Sequence, residues 1–342
     1  MYREPKGNCR KKMKYNYVVF GTEDPYYTIG YSELNTRTDS VYLSGPIFNG
    51  SFMGIATKIR KAHMTQKIRK YVELPWKNGW NDKLYRKSFQ DTKPICFIFF
   101  SAGPFADHIP YGFIDYLKKT YPESKYVVFY QDLVGSNTRT VSLDTYKEKM
   151  DLLLSFDYDD CEKYGMLYHP LVYSDVANTV VPLERVSDIY FCGAEKNRLN
   201  EIIDAYKFFK GLGFSCDFNV ITSKKELLQK KDTEINYCTS FSYKENLRHV
   251  KSCNAMLEIM QKGGTGYTIR ALECVAFNRK LITNNKFIKR AGFYESQSFM
   301  NFNKDIDKER YTEFMQNESK SYSHMNEILP HRLLEYIEAN LP

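Results

Sequence analysis

The sequence predicts an α/β chain folded as two doubly wound, parallel-sheet domains that face a central cleft. Three observations lead there. Short apolar runs rich in aromatic and β-branched residues alternate with amphipathic helical patterns, the rhythm of βαβ units. That rhythm runs twice along the chain, with a break between. A length of 342 residues also exceeds one core of ordinary size. Two consecutive Rossmann-like domains meet all three.

The first series has strand-like runs at 16–22, 40–45, 94–103 and 125–133, each ending in Gly, Thr, Asp or a following polar turn. Between the last two, "YGFIDYLKKTYPES" is amphipathic and reads as a helix, and "TYKEKMDLLLSFD" reads as a helix running into a short strand. The stretch from Tyr164 to Gly193 then breaks the rhythm. It holds Pro170 and Pro182 and has no helical period, which places a linker near residues 170–187. The second series restarts with "DIYFCG", a helix ending in glycines, "SCDFNVI", the helix "YKENLRHVKSC", "NAMLEIM", a glycine-rich loop with its helix, and "KLITNN". A last helix covers "HRLLEYIEAN". The expected division is residues 1–175, residues 176–325, and a terminal helix at 326–342 packing back on the first domain. Ligands of such domains bind beyond the carboxyl ends of the strands.

Composition narrows the class. No run of eighteen apolar residues occurs, and the basic N-terminus passes into "GTEDPYY" without a cleavage site, so neither a spanning helix nor a signal peptide is expected. The eight cysteines stand singly, with no CxxC pair, and the six histidines are equally scattered. They read as free thiols in a reducing, cytoplasmic setting, with no zinc spacing.

Charge is uneven. Residues 1–90 carry 17 Lys plus Arg against 7 Asp plus Glu, so +10 of the total +8 lies there and the remainder sums to −2. The excess is densest at Lys58, Arg60, Lys61, Lys67, Arg69 and Lys70, with Trp76 and Trp80 following. Ile55, Ile59 and Ala62 give an apolar stripe at helical spacing. A basic helix trailed by tryptophans suits an anionic membrane surface, and equally a solvated helix face. Nucleic acid is not expected, since no binding motif accompanies the charge.

Two loops of the second series carry candidate chemistry. In "CGAEKNR", Gly193 ends a strand and Lys196 and Arg198 open the next helix. A helix N-terminus favours anions, and Arg and Lys placed there make a diphosphate clamp. In "QKGGTGYTIRALE", Gly263, Gly264 and Gly266 let backbone approach a ligand, Thr265 and Thr268 bring hydroxyls, and Glu273 follows on the helix. The spacing matches neither GxxxxGK[ST] nor GxGxxG, so a phosphate loop and a plain turn both stay open.

The order "YKENLRHVKSCNAMLEI … GTGYTIRALECVAFNRKLITNN" resembles the donor half of GT-B glycosyltransferases, and more narrowly those of bacterial capsule and lipopolysaccharide synthesis. The resemblance is strongest over residues 125–295. It implies a GT-B-like fold and a sugar transferred from a nucleotide-sugar donor to a lipid-linked or growing surface-polysaccharide acceptor; the basic first domain fits the inner face of a membrane, where a lipid-linked acceptor would sit. It implies that Lys196 and Arg198 hold the diphosphate, with the turn Gly264, Thr265, Gly266, Tyr267 and Thr268, and that Glu273 binds the ribose hydroxyls. Many such enzymes carry a second glutamate where Thr265 stands here, touching the donor sugar.

An inverting transfer needs a base in the first domain. Asp107 and His108 after one strand, and Asp132 after another, are the candidates, with Asp24 a fourth; each is also a plausible turn former. "DYDD" at 157–160 contains the DxD pattern that GT-A enzymes use for a divalent metal. It precedes a helical run, where Asp caps, and is read as a cap. No metal and no cofactor are expected, the two cations neutralising the diphosphate. The alternatives are a polysaccharide pyruvyltransferase-like enzyme on a similar frame, and a non-catalytic nucleotide-sugar-binding protein.

Overall fold

A computed structural model of the chain describes residues 13–46, 53–65, 68, 71–85, 89–134, 142–230, 234–260, 264–303, 308–317, 322 and 325–342. Its twelve strands form two six-stranded sheets, and every pairing is parallel. The first sheet comprises β1 (Asn16–Phe20), β2 (Ser40–Leu43), β3 (Ile95–Phe100), β4 (Lys125–Tyr130), β5 (Leu152–Ser155) and β6 (Leu167–Tyr168), in the order β2-β1-β3-β4-β5-β6. The second comprises β7 (Ser187–Ala194), β8 (Cys216–Ile221), β9 (Asn236–Cys238), β10 (Cys253–Glu258), β11 (Lys280–Thr283) and β12 (Phe299–Asn301). Its order is β9-β8-β7-β10-β11-β12, the 3-2-1-4-5-6 arrangement of dinucleotide-binding domains. The fold is therefore the pair of doubly wound domains that the alternating runs predict, and it is GT-B-like, as the resemblance implies.

The central strands β1, β3 and β4 are buried on both faces, which is why they read as unbroken apolar runs. In β1 the residues alternate between two cores. Tyr17 and Val19 join Ile98 and Phe129 on one face, while Val18 and Phe20 join Phe97, Phe99 and Val128 on the other. The helix Phe113–Thr120 closes the second of these faces with Phe113, Ile114 and Leu117. The C-terminal helix Pro330–Asn340 returns to the first sheet and packs Leu333, Leu334 and Ile337 on the other face. Glu338 anchors it by accepting from the Tyr17 hydroxyl at 3.0 Å and from the Lys14 N–H at 2.6 Å. Each of these fully buried aromatics stabilises the fold by about 2–3 kcal/mol.

β6, β9 and β12 are edge strands of two or three residues, too short to leave a periodic pattern. Among the described residues no helix is long and apolar enough to cross a membrane.

Candidate functional site

The order of the second sheet reverses between β7 and β10, so a crevice opens beyond their carboxyl ends. The loops leaving those two strands are the basic turn and the glycine turn. Two guanidinium groups lie over Gly193: a Cβ there would press on Nη2 of Arg270 and stand 3.2 Å from Nη2 of Arg198. Lys196 follows in a left-handed turn at φ 42°, and Arg198 precedes the helix Leu199–Gly211. Glu195 is drawn off to the side, accepting from Thr222 Oγ1 at 2.5 Å and Lys224 Nζ at 2.8 Å.

Both arginines are held by strand-end carbonyls. Arg198 donates to Ala194 O from Nε (3.3 Å) and Nη2 (3.1 Å), and to Ile259 O from Nη1. Arg270 donates to Cys192 O from Nε (3.0 Å) and Nη2 (2.5 Å). Among the described residues no carboxylate lies within ion-pair distance of Lys196, Arg198 or Arg270. Burial, and then the neighbouring Arg270 charge, push Arg198 down to about 10. A cationic pair of this kind, set by neutral acceptors, keeps its field for a ligand. Arg270 is a site residue the sequence reading passed over. Its signal was its place in the first turn of the helix Ile269–Phe277, directly behind the glycines.

The glycine turn does lie beside these cations, and Gly264, Gly266, Tyr267, Thr268, Ile269 and Arg270 all line the same cavity of about 450 Å³. Thr268 caps the helix by accepting from Arg270 N at 3.2 Å and is itself held by Glu258, a carboxylate buried at the end of β10. Thr265 is placed otherwise than the phosphate role implies. Its N–H and its hydroxyl both donate to Asp157 Oδ2, at 2.8 and 2.9 Å, and the Gly266 N–H donates to the same oxygen at 3.2 Å. Two amides expected to face a phosphate thus face a carboxylate of the first domain. Asp157 is also the helix cap read from "DYDD": its Oδ1 accepts from the N–H groups of Asp159 and Asp160, opening the helix Tyr158–Tyr164. Gly263 lies outside the described residues.

The opposite wall of the cavity comes from the first domain: Tyr26, Tyr27, Gln131, Asp132, Leu133 and Phe156. Asp132 follows β4 directly. The surrounding walls raise its carboxyl above the ordinary range, and the Lys196 charge across the cleft opposes this. Solvent still reaches it. Of the base candidates, Asp132 alone lines this cavity among the described residues.

Asp107 and His108 lie elsewhere, in the 3-10 turn Ala106–Tyr111. His108 is fully buried, with Nε2 3.2 Å from Nη1 of Arg60; burial and then the Arg60 charge push it down to about 3, leaving a neutral imidazole. Arg60, expected on the membrane-facing surface, turns inward instead and is 9% exposed. It lies on the helix Met53–Met64, where Arg60 and Met64 face the protein while Ile55 and Ile59 face out at 57% and 48% exposure. Lys58 and Lys61 are exposed; Lys67, Arg69 and Lys70 lie outside the described residues. Glu273 is buried beside the cavity rather than lining it. Asn246 Nδ2 donates to it at 3.1 Å, and burial raises it to about 7 against the opposing effects of Tyr243, Arg270 and Asn246.

No protein-family model matches the chain, and no curated protein matches it. Solved structures with a similar course of the chain include AviGT4, a glycosyltransferase involved in avilamycin A biosynthesis, at 10% identity and TM-score 0.47, covering 72% of this chain and 86% of that one. A UDP-N-acetylglucosamine 2-epimerase is 13% identical at TM-score 0.49, covering 95% and 96%. A putative enzyme of the same description from Listeria monocytogenes is 11% identical at TM-score 0.48, covering 95% and 97%. They assign no role to any residue of this chain.

Proposed function

We propose that the chain is a glycosyltransferase that takes its sugar from a nucleotide-sugar donor. The observation that carries this reading is the convergence of Lys196, Arg198 and Arg270 at the strand reversal of the second sheet, directly across the cleft from Asp132. In the transfer, the bond from the anomeric carbon to the diphosphate oxygen breaks and its electron pair leaves with the diphosphate. The three cations stabilise that growing charge, and the helix start at Ile269 adds the positive end of its dipole. The acceptor hydroxyl bonds to the anomeric carbon while its proton passes to Asp132, whose raised affinity for protons suits a general base. Glu273, one helical turn past Arg270, is proposed to reach the ribose hydroxyls once Tyr243 and Asn246 release it.

The acceptor is proposed to be lipid-linked or a growing surface polysaccharide, met at an anionic membrane. Support comes from the outward stripe of Ile55 and Ile59, from Tyr71, Val72 and Trp76 at 81%, 56% and 80% exposure, and from Lys58 and Lys61 between them. Large apolar side chains interleaved with cations fit the headgroup boundary better than bulk water.

The test is a thermal-shift and calorimetric panel of UDP, GDP, CMP and dTDP with their sugars, on the wild type and on Arg270→Ala. Stabilisation by one nucleotide class, lost in Arg270→Ala, is expected. No stabilisation by any of them overturns the donor site. Isomerisation of the sugar without nucleotide release overturns transfer in favour of epimerisation.

A further inference from the structure

Asp157 uses its two carboxylate oxygens for two different domains. Oδ1 caps its own helix through Asp159 and Asp160, at 3.1 and 3.2 Å. Oδ2 takes three donors from a loop 108 and 109 residues away: Thr265 N, Thr265 Oγ1 and Gly266 N. The carboxylate is 1% exposed, so water does not compete for these five bonds. The fit around it is close. A Cβ on Gly266 would overlap the carbonyl oxygen of Phe156, the residue before Asp157, so only glycine allows the two backbones to meet. On the far side of the turn, Asn285 Nδ2 donates to Gly266 O at 3.0 Å. One residue on, the Tyr267 and Tyr158 hydroxyls are 3.2 Å apart, and Arg290 lies over the Tyr158 ring at 5.4 Å.

The turn so clamped leads within four residues to Arg270. A helix cap alone requires one acceptor oxygen; the second oxygen has no bearing on the helix it begins. We propose that Asp157 is a positioning residue: an interdomain strut that holds the glycine turn against the first domain and thereby sets Arg270 and the helix start at Ile269 on the rim of the cleft. The strut needs no ligand. Its effect on catalysis rests on the nucleotide-sugar reading given above.

Serine caps helices as well as aspartate does but has one short oxygen, so Asp157→Ser keeps the cap and removes the strut. Asp157→Asn keeps the size and one oxygen but turns an amide N–H₂ toward donors. The primary readout is hydrogen exchange of the nucleotide-free protein. In Asp157→Ser, exchange of the segment 264–270 should rise at least about 10-fold, since three donors lose their acceptor and even one net buried hydrogen bond implies that much, with β10 and the helix Tyr158–Tyr164 unchanged. Unchanged exchange at 264–270 overturns the proposal, leaving Asp157 as a cap. If Asp157→Ser loses protection throughout, Asp157→Asn decides by the same criterion. The second readout is steady-state kinetics with donor and acceptor varied. A strut acting through Arg270 raises the donor KM about 10-fold and leaves the acceptor KM unchanged. Equal change in both, or in kcat alone, overturns its role in the donor site. A wild type that binds no nucleotide would sink the transferase reading while the exchange result still judges the strut.

Discussion

The two domains each have a strand-order reversal, and the crevices at these two points use their charges in opposite ways. In the first sheet the order reverses between β1 and β3. The loops beyond them are pressed together: a Cβ on Gly103, at φ 124°, would stand 3.0 Å from Gly21 O, and the Tyr42 hydroxyl bridges the N–H and carbonyl of Thr22 at 2.9 Å each. Among the described residues the buried arginine nearby, Arg60, faces His108, with Asp107 and Glu23 acting on its charge. In the second sheet the arginines are tied to carbonyls, their charge is met by no close carboxylate among the described residues, and they line an open cavity. Equivalent topology thus yields loops pressed together in one domain and, among the described residues, a cation-lined cavity in the other. Topology says where a site can be; the partner of each charged side chain says whether one is there.

That contrast breaks most directly at the residue facing the cations from the first domain. Asp132→Asn removes the proposed base and is expected to lower kcat by about 10²–10⁴ while donor KM changes little, read by steady-state kinetics. A loss confined to KM would move Asp132 from base to binding group.

Glu273→Gln tests the buried carboxyl behind the open crevice. Its raised pKa means the folded state holds a proton that the unfolded state releases. Its contribution is therefore present below about 4.5 and lost as pH rises towards about 7. Denaturant titrations should show wild-type stability falling across that window by at most about 3 kcal/mol relative to the variant. Parallel pH profiles would show that Glu273 is not held protonated.

Arg270→Ala and Arg60→Met form the matched pair. The first should weaken nucleoside diphosphate binding by about 1.5–3 kcal/mol, and the second should leave it within about twofold, both by calorimetry. Equal losses would erase the distinction between the crevices. The smallest effect belongs to the outer face. Lys58→Glu and Lys61→Glu should each weaken binding to anionic vesicles by about 1 kcal/mol at low salt, with turnover of a soluble acceptor unaffected. Vesicle binding indifferent to both would remove the membrane from the reading.

The fold was legible because its signals are local. The runs that became β1, β3, β4, β7 and β10 are apolar on both faces, and the break before β7 separates two complete series. The site was legible in part. "CGAEKNR" and the glycine turn could be placed on one rim because both leave strand ends, and they do share a cavity. Arg270 escaped because its one signal is its place directly behind the glycines, and a single arginine in a helix's first turn belongs to no repeating pattern. Arg60 was assigned outward because a basic, amphipathic stretch has two faces and the period does not say which is wet.

Unaided, the sequence determined the parallel-sheet architecture and the basic, glycine-rich character of two second-domain loops, since side-chain period and turn chemistry act over a few residues. Only the tertiary structure decided which charges face the cleft, and that Asp157 rather than an external anion takes the amides of Thr265 and Gly266. The reason is range. That contact joins residues more than a hundred positions apart, and a carboxylate that caps its own helix gives no local sign that its second oxygen is used across a domain boundary.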